Sequence, residues 1–83
     1  MDFDMQYKII KTMIDLSEVI GSECAEIINK KCIKIAKPLA VSTKRTTDEW
    51  QQCLLLQAKE MAILGHSKEY ILSEIDKYKI LEC

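Results

Sequence analysis

The chain has 83 residues and nearly balanced charge, 12 Lys+Arg against 13 Asp+Glu, for a net −1. Apolar residues make up 48 % and charged residues 30 %, with two Gly and one Pro. That is the balance of a small globular domain, and it excludes collagen-like repeats and Gly/Pro-rich disorder. The uncharged apolar runs, such as Cys53–Leu56 and Met61–Leu64, are too short to span a membrane. The first residues, Met1-Asp2-Phe3-Asp4, have neither the basic nor the apolar region of a signal peptide, so a cytoplasmic protein is expected.

At about 100° per residue, Phe3, Tyr7, Ile9, Ile10, Met13, Ile14, Leu16 and Ile20 share one arc of about 160–200°. Asp4, Lys8, Lys11, Asp15 and Glu18 lie opposite, as on an amphipathic helix. Carried past Gly21, the same count brings Cys24, Ile27, Ile28, Cys32 and Ile35 into the same arc. This continuity predicts one long helix over about 3–37, bent at most at Gly21. Its length would be about 50 Å. The alternative is a helix ending at Gly21 and a new one capped by Ser22. Gly21 near the centre of the arc also suggests a small residue where another helix crosses closely. Pro38 should stop the helix, because its ring lacks an N–H and disfavours helical backbone at Lys37.

Leu39–Thr47 reads as a connection. Thr46 followed by Glu49 forms a capping-box signature and predicts a second helix over about 47–64, ending at Gly65. Ser67 and Glu69 open a third helix over about 68–82. The expected fold is therefore all-α, a single helical domain over 1–83.

In the middle helix, Trp50, Cys53, Leu54, Ala58, Met61, Ala62 and Leu64 form one broad apolar face. Leu56 and Ile63 stand on the other, among Gln52, Lys59 and Glu60. A helix apolar on both sides is either central or in contact with a partner. A chain this short has difficulty covering both sides of that helix and a long first helix as well. A homo-oligomer with Leu56 and Ile63 at a subunit contact is expected; a bundle bent at Gly21 that covers both faces is the alternative.

No nucleotide-binding glycine loop, GxSxG, HExxH or EF-hand pattern is present. The single His66 beside Gly65 and the irregular spacing of Cys24, Cys32, Cys53 and Cys83 point to neither catalysis nor zinc. The cysteines read as reduced, three of them on apolar helical faces. No catalytic residue, metal or cofactor is expected, and no enzyme.

The charges are segregated. Residues 1–26 carry two Lys against six acids, net −4; residues 27–47 carry six cations and no acid, net +6; residues 48–83 carry four Lys against seven acids, net −3. Lys30, Lys34 and Lys37 share one helix side. Lys44 and Arg45 sit in Ser42-Thr43-Lys44-Arg45-Thr46-Thr47, just before a helix N-terminus, whose free N–H groups and positive dipole end suit an anion. Thr43, Lys44, Arg45, Thr46 and Thr47 are the candidate contacts. Duplex nucleic acid is disfavoured by the small patch and the overall negative charge. Two functions are thus expected: an interaction protein (inhibitor, adaptor or regulator) acting by binding as a homo-oligomer, or a binder that sequesters a nucleotide or other phosphorylated anion at 42–47.

Overall fold

The computed structural model describes residues 3–82, with side chains as far as Lys79. Four α-helices follow in order: α1 (Phe3–Ile20), α2 (Ser22–Ser42), α3 (Thr47–Ile63) and α4 (Lys68–Asp76). A 3-10 turn over Lys77–Glu82 closes the described chain, and no strand occurs within it. The fold is all-α, as the periodicity predicts. No helix among the described residues is long and apolar enough to cross a membrane.

The long first helix is replaced by two. Gly21 adopts φ 95° and ψ 148°, a backbone region open essentially to glycine alone, and the chain turns there. Its N–H still reaches the Ser17 carbonyl at 2.8 Å, and its carbonyl accepts from Ala25 N–H at 3.0 Å, so both helices stay bonded up to the break. A one-residue interruption hardly changes helical phase, which is why the apolar stripe continues across it. The close-crossing reading of Gly21 is not met. Nothing lies within 4 Å of where a Cβ would stand, so backbone conformation, not space, is what glycine supplies.

Pro38 does not stop α2, which runs on to Ser42. The ring removes one hydrogen bond, to the Lys34 carbonyl. Fully buried Ala36 and Leu39 flank it, and their packing holds the helix through that loss. At the other end of the chain, the helix predicted over about 68–82 turns 3-10 after Asp76. Lys77 meets Glu74 at 2.6 Å and Lys79 meets Asp76 at 2.9 Å, the three-residue spacing that a tighter helix aligns.

Two helix ends match their sequence signals. Thr46 and Glu49 form the reciprocal capping box at the start of α3. At its end, Gly65 at φ 93° donates to the Ala62 carbonyl and His66 N–H to the Met61 carbonyl, both at 3.0 Å, completing a Schellman motif. His66 then stacks on Tyr70, ring centres 4.2 Å apart.

The core draws on all four helices: Ile9 and Leu16 from α1, Ile28, Cys32 and Leu39 from α2, Leu54, Leu55 and Ala58 from α3, and Ile71 and Ile75 from α4. Burial pushes the Cys32 thiol up to about 12, so it stays protonated and acts as a small hydrophobe. Cys24 and Cys53 are half-buried and, like Cys32, unpaired by disulfide; Cys83 lies outside the described residues. Helix α3 is central and packs on α1, α2 and α4. Its buried arc takes in Gln51 and Gln52, the latter expected on the polar side. Each is oriented by a partner: Gln51 Nε2 donates to Asn29 Oδ1 at 2.9 Å and Gln52 Nε2 to Thr12 Oγ1 at 3.0 Å. The links Gln6–Asp48, Thr12–Gln52 and Asp15–Lys59 ascend together along both helices, so α1 and α3 run parallel.

Replacing Gly21 by Ala should lower stability by about 1–3 kcal/mol, because Ala must hold the same positive φ. Denaturant unfolding followed by circular dichroism measures this. A second expectation concerns acid. Hydrogen bonds from Lys31, then Lys79, hold the Asp76 carboxyl below the usual carboxylate range. A depressed pKa gives stability that is complete above the unfolded-state value, about 3.9, and is lost as pH falls through the folded one. Asp76→Asn should therefore reduce the acid dependence of the melting temperature below about pH 4 and leave that at neutral pH unchanged in slope.

Candidate functional site

Two surfaces come into question, the basic α2–α3 connection and the outer face of α1. In the connection, the Thr43 and Thr46 hydroxyls have local work. Thr43 Oγ1 donates to the Leu39 carbonyl and accepts from Trp50 Nε1, both at 2.8 Å, and it also receives Arg45 N–H at 3.3 Å. Thr46 Oγ1 accepts from Glu49 N–H at 3.1 Å, and Glu49 Oε1 accepts from Thr46 N–H at 2.9 Å. The Arg45 guanidinium lies over the Trp50 ring, 4.7 Å from its centre. Thr47 is the half-buried first residue of α3, and Lys44 is exposed.

The five sequence-predicted residues thus stay together, since they are consecutive, but Thr43 and Arg45 are engaged within the connection. Trp50 is the reason. It is 9 % exposed, its indole N–H is satisfied by Thr43, its face is covered by Arg45, and Tyr78 meets its edge at 6.3 Å. The first turn of α3 also carries Asp48 and Glu49. An anion approaching those N–H groups would meet two carboxylates, one of which already occupies the Thr46 N–H. On α2, Lys30, Lys34 and Lys37 point to solvent, and Lys31 pairs with Asp76 at 2.6 Å.

Helix α1 divides the apolar arc that its sequence presents as one. Ile9, Thr12 and Leu16 are buried, with Met5, Met13 and Ile20 packed at the core's edge. Phe3, Tyr7, Ile10 and Ile14 are 76 %, 66 %, 57 % and 53 % exposed. These four fall within about 60° of each other on the helix, roughly 150° from the buried set. They form a straight ridge about 17 Å long. Sequence reasoning placed them in the core arc. The signal that separates them is their 4-3-4 spacing, which runs apart from the 9-12-16 spacing of the buried set.

Beside this ridge, an open groove of about 560 Å³ lies between Ile10, Ile14 and Ser17 of α1 and Ser22 and Asn29 of α2. Elsewhere on the surface, Leu56 and Ile63 of α3 are exposed at 41 % and 58 %, with Leu64 next to Ile63 at 73 %. Leu64, expected on the broad apolar face, instead ends α3 as its C-cap. Among the described residues, no three His, Cys, Asp or Glu side chains are grouped to hold a metal ion.

Comparison of the chain with protein-family models, with curated proteins and with solved structures returned no match.

The geometry of the connection makes its threonines stability determinants. Thr46→Ala should cost about 1 kcal/mol by removing the capping box. Thr43→Val should cost a similar amount, about 1–3 kcal/mol, by leaving the buried indole N–H without an acceptor. Chemical denaturation of the two variants, with Trp50 fluorescence as the probe, reads both.

Proposed function

We propose that this protein is a small non-enzymatic interaction protein that acts by binding, as a homo-oligomer, with the outer face of α1 as its principal contact surface. The observation that carries the reading is the ridge of Phe3, Tyr7, Ile10 and Ile14, four large apolar side chains each more than half exposed on one helix. Scattered apolar residues are normal on a protein surface, whereas a contiguous patch of several hundred Å² marks an interaction site. These four side chains together present roughly 400–500 Å².

Helix α1 cannot turn this ridge inward. Its opposite side is already packed, and Thr12, Gln6 and Asp15 tie it to Gln52, Asp48 and Lys59 of α3. A rotation that buried Ile10 would expose Leu16. The ridge is therefore covered by another molecule or left in water at a cost of about 25 cal/mol per Å². Leu56 and Ile63 on α3 supply a second, smaller contact. With two separate apolar surfaces, one protomer can join its own kind and still present a face to a target, which is what an inhibitor or adaptor without chemistry of its own requires.

Native mass spectrometry and sedimentation velocity test this. The wild type should run well above the 9.6 kDa protomer. The double variant Ile10→Glu, Ile14→Glu should lose the α1-mediated pair with unchanged helicity, leaving at most the smaller α3 contact. The double variant Leu56→Glu, Ile63→Glu should stop assembly at the α1-mediated pair. A wild type that stays at protomer mass up to millimolar concentration overturns the proposal.

A further inference from the structure

We infer that the occupant of the α1 ridge is the α1 ridge of a second copy, packed antiparallel about a two-fold axis, with Phe3 level with the partner's Ile14 and Tyr7 level with the partner's Ile10. This rests on the self-association reading above and adds the orientation and the register.

Three features of α1 point the same way. The first is spacing. Residues 3, 7, 10 and 14 alternate steps of four and three, the repeat with which two helices mesh side chains along a shared seam. In the stated register the seam consists of four layers: Phe3 with Ile14, Tyr7 with Ile10, and their two symmetry mates. Every layer joins one aromatic and one isoleucine, so large and smaller side chains alternate across the contact.

The second is charge. One flank of the ridge carries Asp4, Lys11 and Glu18; the other carries Gln6, Met13 and Ser17 and no charge. An antiparallel pair sets like flank against like flank. With Phe3 level with the partner's Ile14, Asp4 sits about 3 Å along the axis from the partner's Lys11, within reach of its side chain. The symmetry makes this contact twice. Sliding the pair by seven residues would instead set Asp4 against Glu18 and Lys11 against Lys11. A parallel pair would set the charged flank against the uncharged one and form no ion pair. Within its own chain, Lys11 reaches Asp15 at 3.9 Å with its side chain 61 % exposed, so it is free to serve the partner. Lys8 and Asp15 lie farther round the helix than either flank, and Lys59 of α3 faces Asp15.

The third is shape. The open groove beside Ile10, Ile14 and Ser17 lies at one end of the ridge, and Phe3, the most exposed of the four, lies at the other. The antiparallel arrangement brings the partner's Phe3 to that groove and does so symmetrically. A parallel arrangement stacks Phe3 on Phe3 and leaves both grooves empty. With both ridges covered, such a pair buries roughly 1,000 Å² in total, the lower bound for a specific interface.

The test uses the wild-type chain and three charge variants. A mixed pool of unlabelled and ¹⁵N-labelled protein is treated with a zero-length carbodiimide crosslinker and digested. A mixed-isotope peptide joining Asp4 to Lys11 is expected. Asp4→Lys and Lys11→Asp should each raise the dimer dissociation constant about three- to thirty-fold, since each loses two exposed ion pairs and adds repulsion. The double variant Asp4→Lys, Lys11→Asp should restore it to within about three-fold of wild type. A dimer that lacks the Asp4–Lys11 crosslink, or whose double variant remains as weak as the singles, overturns this arrangement while leaving self-association standing. A chain that is monomeric throughout overturns both.

Discussion

Helix α3 needs three other helices around it. Its buried residues, Trp50, Gln51, Gln52, Leu54, Leu55, Ala58 and Ala62, spread over about 200° of its circumference. No single neighbour covers so wide an arc, so α1, α2 and α4 must converge on it, and every other feature of the fold follows from that convergence. Gly21 breaks the first apolar stretch because an unbroken helix over 3–37 could bring only a few turns to α3. Gln51 and Gln52 are enclosed because α2 and α1 approach from both sides, and Asn29 and Thr12 meet the amides as they do. Buried amides of this kind are costly unless paired, so they fix how each helix is set against α3 as well as holding it there.

The same convergence decides what is left outside. An 83-residue chain buries only about 60–65 % of its unfolded surface, and here α3 consumes the inner faces of its three neighbours. Helix α1 is the outermost of the long elements and is apolar over more arc than α3 can cover. Its excess emerges as the ridge of Phe3, Tyr7, Ile10 and Ile14. Leu56 and Ile63 emerge on the opposite side of α3 from the buried set, where Leu56 borders a groove shared with Glu74, Lys77 and Tyr78. The two exposed patches are thus products of geometry in an undersized core.

How much of this the sequence carries can be judged residue by residue. The capping box at Thr46 and Glu49 and the stop at Gly65 were legible because a cap is a local device, written in three or four neighbouring residues. The helical class and the outward position of Leu56 and Ile63 were legible from periodicity. The break at Gly21 was legible only as the alternative, since the apolar stripe stays in phase across it, and the positive φ of Gly21 decides for it. Pro38 misled for a tertiary reason: its lost hydrogen bond is outweighed by the packing of Ala36 and Leu39. The basic segment shows its hydroxyls, cations and helix N-terminus in the sequence, but not the partners that engage Thr43 and Arg45. Trp50, seven residues beyond Thr43, is what engages Thr43 and Arg45, and nothing in the spacing alone announces that an indole will fold back over the connection.

The division of α1 into a core face and a ridge has a further consequence for stability. The core face rests on Ile9, Thr12 and Leu16, and its first turn, before Met5, has no buried residue at all. That turn is fastened to the rest of the molecule through half-buried Met5 at the core's edge and the Gln6–Asp48 hydrogen bond at 2.7 Å, and helical ends with little packing are marginal in water. Covering Phe3 and Tyr7 would add contacts to the same turn. If a second copy covers the ridge as proposed, association and ordering of the N-terminal turn become one equilibrium, and apparent stability rises with protein concentration. The apolar excess that leaves a small core incomplete is the same excess that stands exposed as Phe3, Tyr7, Ile10 and Ile14.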